Sequence, residues 1–168
     1  IAEFIVAIVF SLGFRKFSSG VVTALFFVYS ILTGVTFSVL FVAFELESIV
    51  YAFAGTAALF GVLAYIGKNT KADLTKLGTV LTITLVIAIV VSIVNIFIGN
   101  SFIDIALDWV ILFVFMGFTV YDMNKIVAMQ NEDLGDSADK LYVYGAMQLY
   151  LDFINLFIRL LSLFGKRK

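Results

Sequence analysis

Two aspartates stand where a carboxylate is costly. Asp122, in Val120-Tyr121-Asp122-Met123-Asn124, and Asp152, in Tyr150-Leu151-Asp152-Phe153-Ile154-Asn155, sit inside long apolar runs. Most of the other acidic residues fall in polar breaks or at the ends of runs. An ionisable side chain deep in an apolar helix is expensive to insert in lipid and usually marks an ion or proton pathway. Around Asp152 the residues Gly145, Gln148, Asn155 and Arg159 recur at steps of three and four. That spacing draws one polar face along a helix. Each aspartate has two readings at this point: half of an acid pair, or a structural acid that caps a backbone or forms a static salt bridge to Arg15 or Arg159. Ser30, Thr33, Gly34, Ser92 and Asn95 are weaker candidates. They either line a polar path or bond nearby backbone, as hydroxyls and amides in membranes commonly do. The chain has no Cys and no His. Disulfides, thiolate metal sites, thiol nucleophiles and the usual side chain for pH sensing are thereby excluded.

These residues need a scaffold, and composition says which kind. Of 168 residues, 62% are hydrophobic and 14% charged, with 19 Phe and no Pro. A soluble domain averages roughly 45–50% apolar and about 25% charged, so the partner of this surface is a lipid bilayer. A net charge of −1 offers nothing to nucleic acid. A spanning helix needs about 20 apolar residues, and the chain divides at that length. The segments run over about 1–14, 21–44, 49–67, 79–99, 109–129 and 140–165, with polar connections between them, including 100–108 and an acidic stretch at 130–139. Strands are excluded, because open sheets leave backbone groups unsatisfied in lipid. The expectation is an all-α, multi-pass transmembrane bundle of about six helices, forming a single domain over 1–168. The chain starts at Ile1 inside an apolar run without Met, which suggests a fragment whose preceding helix is missing.

Lys and Arg set the expected orientation. Arg15, Lys16, Lys68, Lys71, Lys76, Lys125 and Lys140 fall at the connections after the first, third and fifth segments. The other two connections hold none, so the first set is expected in the cytoplasm. The tail Lys166-Arg167-Lys168 breaks the pattern. Either six spans place it outside, or the last segment re-enters; its length of some twenty-five residues favours six spans. Ala54, Ala57, Ala58, Gly61 and Ala64 put small residues on one face of the third segment, which predicts a close helix–helix seam. The last two segments share a short connection and are expected to be antiparallel neighbours. Asp152, some twelve residues into its helix, lies roughly 18 Å along the axis. Asp122 matches that depth best if its helix continues into Gln130 and Asn131.

The same residues carry a family resemblance. Val120-Tyr121-Asp122-Met123-Asn124-Lys125-Ile126 resembles a motif of the Bax inhibitor-1 family, the transmembrane Bax-inhibitor-motif proteins. Gly145-Ala146-Met147-Gln148-Leu149-Tyr150-Leu151-Asp152-Phe153-Ile154-Asn155-Leu156-Phe157 is similar to its last-helix signature, the most specific match. Gly61-Val62-Leu63-Ala64-Tyr65 followed by Thr70-Lys71-Ala72-Asp73-Leu74 resembles its central loop. The matches keep the family's order from about Glu3 to Gly165. The family has seven helices, so its first would be the missing one. The resemblance implies a pH-sensitive calcium leak, in a prokaryotic plasma membrane, with Asp122 and Asp152 as a proton-sharing pair. It also implies a latch for the closed state, which Arg15 matches best and Lys16 matches with a one-residue shift. The family signature often carries Ser where Met147 or Gln148 stands.

On this reading Gln148, Asn155 and Asn95 support the pair, and no cofactor is expected. Calcium is the permeant or weakly bound ion. Ca²⁺ takes six to eight oxygens, so Asp122 and Asp152 with Asn155 would form only a weak, transient site. With neither His nor Cys present, a transition near neutral pH falls to carboxyl groups removed from water and placed side by side.

Rival functions fit less well. An intramembrane aspartyl protease also uses two Asp on adjacent helices, and Tyr121-Asp122 suits its first motif. Its second needs Gly-x-Gly-Asp, whereas Tyr150-Leu151 precede Asp152; Leu134-Gly135-Asp136 resembles part of it but lies in a hydrophilic stretch. Its Pro-Ala-Leu element cannot exist in a chain without Pro, so an enzyme is not expected. A proton-coupled transporter would use the same acids as a relay, but inverted repeats and broken helices are not evident in the sequence. A non-conducting membrane partner of other proteins is the third class.

Overall fold

Apolar runs without proline propagate as helices until a residue stops them, and the computed structural model, which describes residues 17–130 and 138–168, shows what stops each one. Its helices are α1 (Ser19–Phe37), α2 (Leu40–Ala43), α3 (Leu46–Asn69), α4 (Thr75–Ile98), α5 (Ser101–Gln130) and α6 (Ala138–Phe164). Among the described residues there is no strand, only an isolated bridge between Phe44 and Arg167. Five helical segments are long and apolar enough to cross a membrane: Ser19–Ala43, Leu46–Asn69, Thr75–Ile98, Ser101–Met129 and Asp139–Phe164. The expected first segment, 1–14, the latch candidates Arg15 and Lys16, and Asn131 lie outside the described residues.

Two boundaries differ from expectation. The segment 21–44 is interrupted after Phe37. There the Ser38 hydroxyl donates to the Val35 carbonyl at 2.7 Å, and the backbone tightens to three-residue bonds, Ser38 N to Val35 O and Val39 N to Thr36 O. A serine hydroxyl competing for that carbonyl is enough to bend a helix. Of the stretch 100–108, expected as a connection, all but Asn100 forms the first part of α5. Gly99 at φ 69° turns the chain, and Asn100 Oδ1 accepts the Phe102 N–H at 2.9 Å, so α5 starts at once. Asn95 ties the corner together. Its Nδ2 donates to Asn100 O at 3.0 Å and Asp104 Oδ1 at 2.6 Å, and its Oδ1 accepts the Asn100 N–H.

The spans alternate in direction, and α6 is their axis. It packs against α1, α3 and α5, while α5 also packs against α3 and α4. Phenylalanines supply much of the α3–α6 contact. The Phe153 ring meets Phe53 and Phe60 edge-on, each with centroids 5.5 Å apart, the arrangement aromatic quadrupoles favour. Without a hydrophobic drive in lipid, such close packing must supply the association.

The α3 seam is not the one expected from its small residues. Ala54, Ala57, Ala58 and Gly61 face outward, and a Cβ at Gly61 would meet nothing. The buried face is Ile49, Thr56, Leu63 and Gly67, at steps of seven, seven and four. Its larger side chains fill the grooves of α5 and α6. Leu63 joins Leu112 and Leu156, and Ile49 joins Phe157 and Leu161.

The tail also finds its place. α6 runs the length of the bundle, and Lys166 and Lys168 then meet the α2–α3 junction. Glu45 N donates to Lys166 O, and Lys168 N donates to Ala43 O. Lys168 Nζ donates to the Phe41 carbonyl at 2.7 Å, and the Arg167 guanidinium lies over the Phe44 ring. The last helix is thus long and apolar enough to cross a membrane and carries the chain to the α2–α3 end of the bundle, where two of the tail's cations are engaged by the fold. Their use there accounts for an exception to loop-charge counting.

Candidate functional site

Asp122 lies two turns before the end of α5 and Asp152 near the middle of α6, on facing sides of antiparallel neighbours. Their side chains are hydrogen-bonded to each other. Both are buried, at 6% and 3% exposure, and Asp152 Oδ2 has no partner. Two acids in direct contact out of water hold together only if one carries a proton to donate.

Glycines bring the helices close enough. A Cβ on Gly145 would lie 2.7 Å from Ile126 Cγ1, one turn from Asp122. A Cβ on Gly67 would strike the Val120 carbonyl, so α3 approaches α5 backbone to backbone beside the pair. Asn124 fastens that approach: its Nδ2 donates to Thr70 O at 2.6 Å, at the end of α3. Thr119, wholly buried, returns its hydroxyl to Phe115 O on its own helix.

The supporting residues separate into two groups. Gln148 and Asn155 flank Asp152 by one turn on each side and are half-buried, and Asn155 Nδ2 donates to Leu151 O at 2.8 Å. Asn95 is elsewhere. It belongs to the α4–α5 corner beside Asp104, eighteen residues and about 27 Å along α5 from Asp122. Ser30 and Thr33 bond the carbonyls of Phe26 and Tyr29 on their own helix, and Gly34 and Ser92 face outward. None of them is brought to the pair.

Arg159 does not reach the pair either. It forms an ion pair with Asp108, whose second oxygen accepts the Ser162 hydroxyl at 2.6 Å. From the sequence, Asp108 falls in a connection and Arg159 is a partner for Asp122 or Asp152; the structure instead pairs Arg159 with Asp108. The corrective signal was weak: Arg159 and Ser162 are one turn apart, but their partner is some fifty positions away. The second residue missed is Lys125, one turn beyond Asp122 on α5. It is the cation that acts electrostatically on Asp122, and its ammonium lies 5.9 Å from the ring centres of both Tyr121 and Tyr144. Its i+3 spacing from Asp122 was visible. Among the described residues no group of three or more His, Cys, Asp or Glu side chains could hold a metal ion, so Asp122 and Asp152 belong to no larger ligand cluster there.

A multi-pass helical bundle with two adjoining buried acids inside it defines an integral membrane protein. The family model described as "Inhibitor of apoptosis-promoting Bax1" matches residues 1–168, and the chain belongs to that Bax inhibitor-1 family. It is 39% identical to "Inner membrane protein YbhL" of Escherichia coli (strain K12), over 100% of this chain and 73% of that protein. An uncharacterised protein of Borreliella burgdorferi is 38% identical, covering 92% of this chain and 67% of its own. An uncharacterised membrane protein of Streptococcus pyogenes serotype M1 is 34% identical, over 99% and 72%.

Proposed function

We propose that the chain is a pH-sensitive calcium leak of a bacterial membrane, gated by the proton that Asp122 and Asp152 share. The observation that carries this reading is the hydrogen bond between two buried carboxyl groups on the two helices at the centre of the bundle. With its proton in place the pair is a clasp between α5 and α6. When the proton leaves at higher pH, two like charges remain where one hydrogen bond was. The helices then separate or admit a cation, and carboxylate oxygens are ligands Ca²⁺ prefers. Two carboxylates bind it weakly, which suits conduction, since an ion must also leave. In this scheme Arg15 latches the closed state and Lys16 is the next cation to test. Arg15→Ala is expected to raise the leak.

The test is calcium entry into proteoliposomes across a pH series, with proton flux recorded alongside. The wild-type chain should pass Ca²⁺ with a pH-dependent step, and the double variant Asp122→Asn, Asp152→Asn should lose that step. Calcium flux unchanged in the double variant contradicts the reading. Movement of protons without calcium would instead point to a proton-coupled transporter.

A further inference from the structure

A polar cavity lined by Tyr121 and Lys125, the neighbours of Asp122 on α5, lies between the α3–α4 connection and the end of α5. Its volume is about 630 Å³, within the range of small-ligand sites. Three lysines line it: Lys68 from the last turn of α3, Lys71 from the connection and Lys125 from α5. Among the described residues no carboxylate forms an ion pair with any of them. One acid lines the cavity, Asp73, but its Oδ1 is taken by the Thr75 N–H at 2.9 Å and hydroxyl at 2.5 Å. The wall is fixed by Asn124 through its bond to Thr70 O. Lysines from three separate elements thus line one open space, and among the described residues none of them is held in an ion pair.

We propose that this cavity binds a phosphate-bearing anion, either an anionic lipid headgroup or a soluble phosphate. Ammonium groups are compact point charges suited to phosphate oxygens. A basic pocket between membrane helices at the expected cytoplasmic end faces the leaflet where anionic headgroups lie. The proposal is independent of the calcium reading, because binding is measured without flux. Lys125 belongs to the cavity and also acts on Asp122, so an anion there would change the charge next to the pair.

The purified chain in detergent is titrated with short-chain phosphatidylglycerol and phosphatidylcholine, followed by native mass spectrometry, and with inorganic phosphate, followed by calorimetry. Phosphatidylglycerol, inorganic phosphate or both should bind more tightly than phosphatidylcholine. Lys68→Gln, Lys71→Gln and Lys125→Gln should each weaken that binding about fivefold. Lys76→Gln, outside the cavity, should leave it unchanged, and Lys125→Arg should retain it in a variant with wild-type unfolding temperature. Lysine-dependent binding of the lipid alone identifies a headgroup site; the same dependence for inorganic phosphate alone identifies a soluble ligand. Binding indifferent to the three lysines, or weakened equally by Lys76→Gln, overturns the proposal.

Discussion

A carboxylate withdrawn from water needs either an opposite charge or a proton, and the described part of this chain holds one acid site of each kind. Asp108 has Arg159 and the Ser162 hydroxyl; Asp122 and Asp152 have each other. The two sites should respond differently to mutation. Arg159→Met removes a counter-charge at a site only partly out of water, with 28% and 15% side-chain exposure. The cost should be about 1–3 kcal/mol, below that of a fully buried pair. It should appear as a lower unfolding midpoint in detergent, while any pH step in calcium flux keeps its position. A shifted step would mean that the ion pair belongs to the gate. Asp122 and Asp152 were legible in the sequence because each is an acid set inside a long apolar run, away from the polar breaks. Asp108 was not, because it stands at the edge of an apolar run, and its partner is fixed by packing that no local pattern encodes.

Between helices, the decisive contacts are made where a side chain is missing. Gly67 touches the α5 backbone, which cannot swing aside, whereas Gly145 faces the flexible Ile126 side chain and Gly61 faces open space. Gly67→Ala should therefore destabilise the bundle by about 1–3 kcal/mol. Gly145→Ala should cost less, and Gly61→Ala should be neutral or stabilise by up to ~1 kcal/mol through helix propensity. Denaturant titration of the three variants ranks them, and equal effects at Gly67 and Gly61 would contradict the seam described. Helix existence was legible from run length. The face used by α3 was not, because small residues permit close contact on any face and only the neighbours decide which one is used. At the start of α4, Asp73 accepts two hydrogen bonds from Thr75, the hydroxyl bond having the larger effect, and these hold its carboxyl below the usual carboxylate range. The linkage follows: this turn is fully supported above about pH 4 and loses support as pH falls through the lowered value. The protection factor of the Thr75 amide, measured against its intrinsic exchange rate at each pH, should fall in acid, and Asp73→Ala should remove that acid dependence.

For the whole molecule, alternating spans place the 70–74 connection at one end and the α4–α5 corner and the tail together at the other. The chain has no cysteine, so single cysteines report sidedness cleanly. Ala72→Cys should react with an impermeant thiol reagent from the cytoplasmic side, and Asn100→Cys and Lys166→Cys from the opposite side. Labelling of Lys166→Cys together with Ala72→Cys would contradict the crossing of α6. Loop charges pointed to this orientation, but the tail's place became clear only once its contacts with Phe41 and Phe44 were seen. The central claim is that Asp122 and Asp152 titrate as one unit that sets the leak. It is tested most directly by calcium flux against pH in proteoliposomes bearing each single substitution. Because a shared proton belongs to the pair rather than to either acid, Asp122→Asn and Asp152→Asn should each abolish the same pH-dependent step. A wild-type pH profile in either single variant would contradict the shared-proton gate, even in a protein that still conducts.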